Sequence, residues 1–457
     1  MSARHAAPEE LLSVAARAVE RARAHGAQVA DACAESSRAF TVRVHGGSVD
    51  TLKQSGTRGL GVRAIVDGAV GFASGTDLSP EGLDDLARRA VALARFASPD
   101  EANGAPRPNE TGGDADADLR IYDPAAAELP AERRIEMALE LERIALGADP
   151  RVTRTDGASV SSAAGSYAIV NSHGVARAWE GSSVSAWVVA LAGDREGRQQ
   201  TGAEGMSVRH LADLAPLESM ARSAAQRAVD RIGARRVPTA RVPVVMHPDI
   251  AAAWLSEMVD AFSGESVLKR SSWLSGKLGE SIASPLVTIV DDGTLPRRLG
   301  TSPYDGEGLR TRRNVLLDRG RLAMFLYDHY HSRRAGVGPT ANGVRGWSGT
   351  PGIGIHNLCI APGDESPEAI LRKVDRGFYY DDQGSFGFNP VTGDYSFQAQ
   401  GYWIENGERA FPVDGVTVAG HSLEMLNAIA AVGNDLEWRS SVAAPTLLIS
   451  EMTVSGE

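Results

Sequence analysis

The chain has 457 residues, 43% of them apolar and 23% charged, with a formal net charge of −11. That length exceeds one hydrophobic core and predicts two or three domains of an ordinary folded protein. A surface of this sign repels phosphate backbones, and Arg235-Arg236 and Arg333-Arg334 are too short and scattered for a basic stripe, which argues against direct nucleic-acid binding.

Cys33 and Cys359 stand far apart and outside any C-x-x-C pattern. They suggest neither a disulfide framework nor a thiolate zinc site, and a reducing compartment fits them. Residues 1–12 hold no apolar core of signal-peptide length, and no apolar run approaches the roughly 20 residues that cross a bilayer. A cytoplasmic protein without a membrane partner is expected.

In chain order, a helix is predicted from about Pro8 to His25, with Leu11, Leu12, Ala15, Val19 and Ala22 on one stripe and Gly26 to stop it. Phe40, Val42 and Val44 alternate with Thr41 and Arg43 as in a half-buried strand. Val62, Ala64 and Val66 lead through Asp67-Gly68 to Val70 and Phe72, the pattern of a two-residue hairpin. Ser79 is placed to cap a helix whose first residue is Pro80. These elements make an α+β segment, 1–97. A Pro-, Gly-, Asn- and Asp-rich linker, 98–124, is expected to be mobile. The central segment, 125–236, repeats the order. A helix over about 130–146 precedes strands around Ala168–Val170, Val175–Trp179 and Val184–Leu191, with breaks at Asn171–Gly174 and Asp194–Gly197. A helix over about 217–232 closes it. The repetition fits either an ancient duplication or a common α+β arrangement. From 237 to 457, after a helix over about 248–262, short apolar runs between many glycines predict a β-rich barrel or sandwich.

Single motifs define no catalytic machine. Gly56, Gly59 and Gly61 precede a strand, not the helix a dinucleotide loop needs, and read as turn glycines. No H-E-x-x-H occurs. His329 and His331 would share a face on a strand, yet two imidazoles do not complete a metal site. Asp291-Asp292, before Gly293, could bind metal or do acid–base work, and more often such a pair caps a turn. Ser385, in Gly384-Ser385-Phe386-Gly387, lacks the strand-to-helix context of a nucleophile elbow.

Read as consecutive words, the C-terminal half resembles the TldD/PmbA family. The words include Ser271-Ser272-Trp273-Leu274, Tyr304-Asp305-Gly306-Glu307-Gly308, Phe325-Leu326-Tyr327-Asp328 and Thr340-Ala341-Asn342-Gly343. Asn389–Asp394, Gly401–Glu408, Val432-Gly433-Asn434-Asp435 and Ala444–Ile449 follow in the same order. Gly59–Arg63 and Gly71–Ser74 extend the likeness more loosely into the N-terminal half. The resemblance implies an α+β fold, with N-terminal helices packed on antiparallel sheet and a β-rich C-terminal domain. It also implies one of two branches. TldD-like chains carry a zinc site, H-E-x-x-x-H on the helix after His247-Pro248 plus a cysteine near the C-terminus. PmbA-like (TldE-like) chains lack it and pair with a TldD-like chain.

Here, anchoring on Gly264, the histidine positions hold Leu255 and Asp260 and the glutamate position Ser256. Shifted by one, Ser256-Glu257 stand for His-Glu and Ala261 for the second histidine. Val432 stands at the cysteine. The resemblance therefore implies a PmbA-like subunit with no catalytic or metal ligand of its own. Zinc would lie in a TldD-like partner, and unfolded peptides would be the substrate. A homodimer of the isolated chain is a further expectation. Asn342, Gly343 and Arg345, the most distinctive polar word, are expected near a shared cavity, with a tight turn as the competing reading. Two other classes stay open: an autonomous hydrolase built from Asp260, Asp291, Asp292 or His329, and a modulator or binding protein, as older family names that mention DNA gyrase suggest.

Overall fold

The computed structural model describes residues 5–115, 118–193, 197–385 and 387–456. The N-terminal half is one six-stranded antiparallel sheet. In chain order its strands are β1 (Val29–His45), β2 (Ser48–Val66), β3 (Ala69–Gly75), β4 (Val152–Asn171), β5 (Ala176–Gly193) and β6 (Gln199–Val208), laid side by side as β3-β2-β1-β4-β5-β6. The β2–β3 turn is the predicted one. Asp67 and Gly68 take φ of 49° and 80°, the positive values of a turn that follows strand twist.

The strands expected as three short pieces are two long ones of 20 and 18 residues, β4 and β5. The break expected at Asn171–Gly174 is the turn between them, and their Ser-, Ala- and Gly-rich stretches extend the strands because the two pair along nearly their whole length, with two bulges near Val152–Gly157. Of the predicted break at Asp194–Gly197, residues 194–196 lie outside the described residues.

Side chains alternate strictly across this sheet. Even-numbered Ala30, Ala32, Ala34, Leu60, Val62 and Ala64 pack on the helices Pro8–Ala24 and Pro80–Ala94. Phe40, Val42, Val44, Val184, Ala186 and Val188 pack on Ala131–Gly147 and Leu217–Asp230. Ser79 caps its helix as predicted, its side chain accepting from Gly82 N at 3.1 Å. Helix, three strands, helix thus occurs twice, with one helix pair over each end of the long strands.

A glycine marks both outer strands. A Cβ at Gly71 would meet Ala90 O at 2.0 Å and Ala94 N at 2.3 Å, and one at Gly202 would meet Ala224 O at 2.2 Å and Ala228 N at 2.4 Å. Gly71→Ala is expected to destabilise by about 1–3 kcal/mol, since helix backbone must retreat. A urea titration would show this as a lower midpoint, and an unchanged midpoint would contradict it.

The stretch expected as a mobile linker is fastened instead. Arg333 donates to Glu101 O at 2.8 Å and Asn103 O at 3.0 Å, and Asn171 Nδ2 donates to Pro106 O at 2.8 Å. It runs between the sheet and the C-terminal domain as a strap.

The C-terminal half is β-rich, as expected. A six-stranded sheet runs in the order Glu408–His421, Asp394–Glu405, Arg376–Gln383, Ala240–Met246, Leu447–Ser455, Ile429–Val432. Pairing of Glu408–His421 with Leu447–Ser455 closes it into a barrel-like layer. A five-stranded sheet of short strands lies beside it, and Trp254, Phe262, Phe378, Tyr380 and Phe397 belong to one common core. The predicted 248–262 helix is shorter: Pro248–Glu257 is α-helical, and Val259–Phe262 tightens into a 3-10 turn.

Candidate functional site

The helix Pro248–Glu257 begins where strand Ala240–Met246 leaves the barrel. Its cap is His247, whose Nδ1 accepts from Asp249 N at 3.1 Å. Burial pulls the pKa of His247 down to about 4, against the carboxylate of Asp249, so its ring is a neutral acceptor here. Pro248 at the first position costs no hydrogen bond. Trp254, fully buried, anchors the helix by donating Nε1–H to Ser422 Oγ at 3.1 Å.

A zinc site on this helix would need nitrogen, carboxylate or thiolate donors converging on one point. Leu255 and Val432 are instead buried in the same hydrophobic core. Ser256 and Asp260 are exposed, and Glu257 is half-buried. Burial, then the nearby Asp260, raises the pKa of Glu257. Among the described residues no three or more His, Cys, Asp or Glu gather as metal ligands. The residues present do not fit a zinc ion.

Ser256 opens onto a cleft of about 760 Å³ between this helix and the end of the N-terminal sheet. Its far wall carries Trp187 of β5, 48% exposed although tryptophan strongly favours burial. Trp187 lies flat over β6, where a Cβ on Gly205 would meet its ring at 1.9 Å. The floor is charged. Arg231, the residue after the helix Leu217–Asp230, is 2% exposed, pairs with Asp381 at 3.1 Å and with Asp382, and donates to Thr201 O at 2.8 Å. Burial raises the pKa of Asp381, and Arg231 opposes that rise. Arg227 bridges Asp249 at 3.3 Å and Glu204 at 3.6 Å, while Arg439 pairs with Glu204. These pairs join the sheet, the helix and the barrel around one opening. The sequence reading missed this wall. An aromatic among small residues at an odd position of β5, and acids directly after Tyr379-Tyr380, were the available signals.

Asn342, Gly343 and Arg345 are placed elsewhere, in the contact between sheet and C-terminal domain. They belong neither to a simple tight turn nor to the lining of this cleft. Gly343–Val344 forms a small hairpin with Gly352–Ile353. Asn342 is fully buried and donates to Asp291 Oδ2 at 2.7 Å and Gly354 O at 2.9 Å, while Asn314 donates to its Oδ1 at 2.9 Å. The Gly343 amide donates to Asp305 at 3.0 Å. Arg345 reaches across to Asp31 of β1, itself paired across the strands with Arg63 of β2 at 2.6 Å. Trp347 follows in the same loop and lies on the odd-numbered face of β2. A Cβ at Gly59 would meet its ring at 2.4 Å, and one at Gly61 its carbonyl at 2.1 Å. Those glycines are mid-strand seats for this loop, not turn glycines.

The other candidates are dispersed. Asp291 accepts from Asn342 and from His356 N at 2.7 Å. Asp292 caps its turn, accepting from Thr294 N at 2.8 Å. His329 opens the helix His329–Ala335, so it shares no strand face with His331, and burial pulls its pKa down to about 4. Ser385 follows the strand Arg376–Gln383, and Phe386 of the same motif lies outside the described residues. These groups form no common site.

One long-stranded N-terminal sheet under two helix pairs, a barrel-like C-terminal domain and a cleft between them define the architecture of a metallopeptidase family. Residues 30–94 match the PmbA/TldA metallopeptidase domain 1, 124–232 its central domain, and 239–456 its C-terminal domain. The chain belongs to the PmbA/TldD family. Metalloprotease PmbA of Escherichia coli O157:H7 is 32% identical over 451 residues, covering 98% of this chain and 96% of the relative. The Metalloprotease PmbA homolog of Haemophilus influenzae is 30% identical over 449 residues, covering 98% and 96%. A solved Thermotoga maritima protein named for modulation of a DNA gyrase has a TM-score of 0.88 at 27% identity, covering 98% of this chain and 100% of its own. TldE from Thermococcus kodakarensis shares the fold at TM-score 0.85 and 24% identity, covering 96% and 99%.

Proposed function

We propose that this chain is the non-catalytic, PmbA-like (TldE-like) subunit of a heteromeric zinc metalloprotease that degrades or trims unfolded peptides in the cytoplasm. The observation that carries the reading is the helix Pro248–Glu257. At the positions where the resemblance implies zinc ligands, Leu255 and Val432 offer no lone pair to a cation. Without a Lewis acid, no water is activated on this chain. The reaction would belong to a TldD-like partner, with zinc held there.

This chain would supply a wall. The cleft beside Ser256 has an open aromatic face at Trp187 and paired charges at its floor, which suits a segment of unfolded peptide. An extended peptide binds largely through its backbone, and an aromatic surface adds affinity with little side-chain choice. No described helix is long and apolar enough to cross a membrane, which is compatible with the proposed compartment.

Peptidase assays of this chain, of a TldD-like chain, and of both together test the reading. Activity is expected only with the TldD-like chain present and is expected to rise on adding this one. Trp187→Ala in this chain is expected to raise the pair's KM for an unfolded peptide about tenfold with little change in kcat. An unchanged KM would remove Trp187 from the substrate path, and full activity without this chain would overturn the subunit role.

A further inference from the structure

We propose that a pocket of about 350 Å³, between the start of the helix Ala131–Gly147 and strands β1 and β4, binds a small organic molecule by its terminal phosphate or carboxylate. The site lies on the helix-bearing face of the N-terminal sheet, opposite the face that seats Trp347, and shares no lining residue with the cleft at Trp187. It goes beyond the subunit reading and does not rest on it. Two arginines line the pocket. Arg134, one turn into the helix, is 8% exposed. Its Nε donates to Ser162 Oγ of β4 at 3.0 Å, and its guanidinium lies over the Phe40 ring, 4.4 Å from the centroid. Arg38 of β1 is half-buried and gives one nitrogen to Ala127 O at 2.8 Å.

What these arginines lack points to the ligand. Among the described residues neither pairs with a carboxylate, although the chain holds 58 acidic against 47 basic residues. Glu128 is the one acid among the lining residues, and it is exposed and forms no ion pair with either arginine. The terminal nitrogens of Arg134 bond to no described residue, yet the side chain is more than nine-tenths buried. A buried guanidinium normally meets a counter-charge, because its desolvation is otherwise uncompensated. Here burial, then the charge of Arg38, lowers the pKa of Arg134. An anion between the two would oppose both effects. The helix adds to the attraction. Its N-cap, Pro130, offers no side-chain acceptor, so the first amides and the positive end of the helix dipole are left without a capping partner. Two guanidiniums beside a helix start suit an oxyanion. The volume exceeds that of one such group, and Leu129, Pro130 and Ala164 provide an apolar wall for an organic body.

Isothermal titration calorimetry of the full chain at fixed ionic strength tests this, with phenyl phosphate and benzoate as separate probes. Saturable binding of at least one probe is expected, with a Kd under about 1 mM. Binding of phenyl phosphate alone, of benzoate alone, or of both would each support the site and tell which oxyanion it takes. Arg134→Gln and Arg38→Gln are each expected to weaken that binding at least about tenfold. The bound probe should also raise the unfolding midpoint of the wild type more than that of either variant. Arg38 is only half-buried, so Arg38→Gln decides the matter should Arg134→Gln fold poorly. No saturable binding of either probe to the wild type, or an affinity unchanged in either folded variant, would overturn the proposal. None of these outcomes depends on peptidase activity, so failure here leaves the subunit reading untouched.

Discussion

Asp31→Ala is expected to destabilise the protein by about 3–5 kcal/mol, the largest effect among single substitutions away from the apolar core. Asp31 is buried and pairs with two cations, Arg63 beside it in the sheet and Arg345 from the C-terminal domain. Removing the carboxylate leaves both guanidiniums in the interior without a counter-charge. Burial alone would raise the pKa of Asp31, but the two arginines overcome it and hold the group below its ordinary value of 3.8. A depressed folded pKa means that the stabilisation is present above the unfolded value and is lost as pH falls through the folded one. The loss from Asp31→Ala should therefore be full at neutral pH and shrink in strong acid. Equilibrium denaturation at several pH values reads both. A cost below about 1 kcal/mol at neutral pH would show that Asp31 does not hold the two halves together.

Glu307→Gln is expected to have the opposite pH dependence. Burial, partly offset by Arg63 and reinforced by Asp305 and Asp328, pushes Glu307 from 4.5 up to about 8. Its neighbour Asp305 is pushed up by burial to about 6. One Glu307 oxygen accepts from the His329 amide at 2.7 Å, and the other lies 3.7 Å from Arg63. The folded state thus holds this proton more tightly than the unfolded chain, so stability falls as pH rises from about 4.5 to about 8. Glutamine mimics the protonated acid and cannot ionise. Relative to wild type, the variant should gain about 1–3 kcal/mol on going from acid to mildly alkaline pH. Parallel pH profiles of wild type and variant would contradict the assignment.

Much of the local structure was legible because it is decided locally. Ser79 before Pro80, the Asp67-Gly68 turn and the alternation through Phe40, Val42 and Val44 each carry their own physical cause. The strands β4 and β5 were underestimated because Ser, Ala and Gly have weak intrinsic preference, and only pairing along the full ladder makes them strands. The role of Gly59 and Gly61 depends on Trp347, almost three hundred residues later in the chain, and no local pattern encodes it. Arg345 stood out as part of a distinctive word, yet its partner Asp31 lies in another domain, so its neighbourhood could not be read from spacing. The positions Leu255, Ser256, Asp260 and Val432 were named from the resemblance, since nothing in their own pattern marks them. Trp187 and the Arg231–Asp381–Asp382 group went unnoticed because the cleft exists only where sheet, helix and barrel meet.

Metal analysis of the purified single chain, followed by a peptide-hydrolysis assay with and without a chelator, tests the central claim most directly. A protein whose helix Pro248–Glu257 brings no set of zinc ligands together should retain far less than one zinc per chain and hydrolyse no peptide. One tightly held zinc per chain, with hydrolysis that the chelator abolishes, would contradict it.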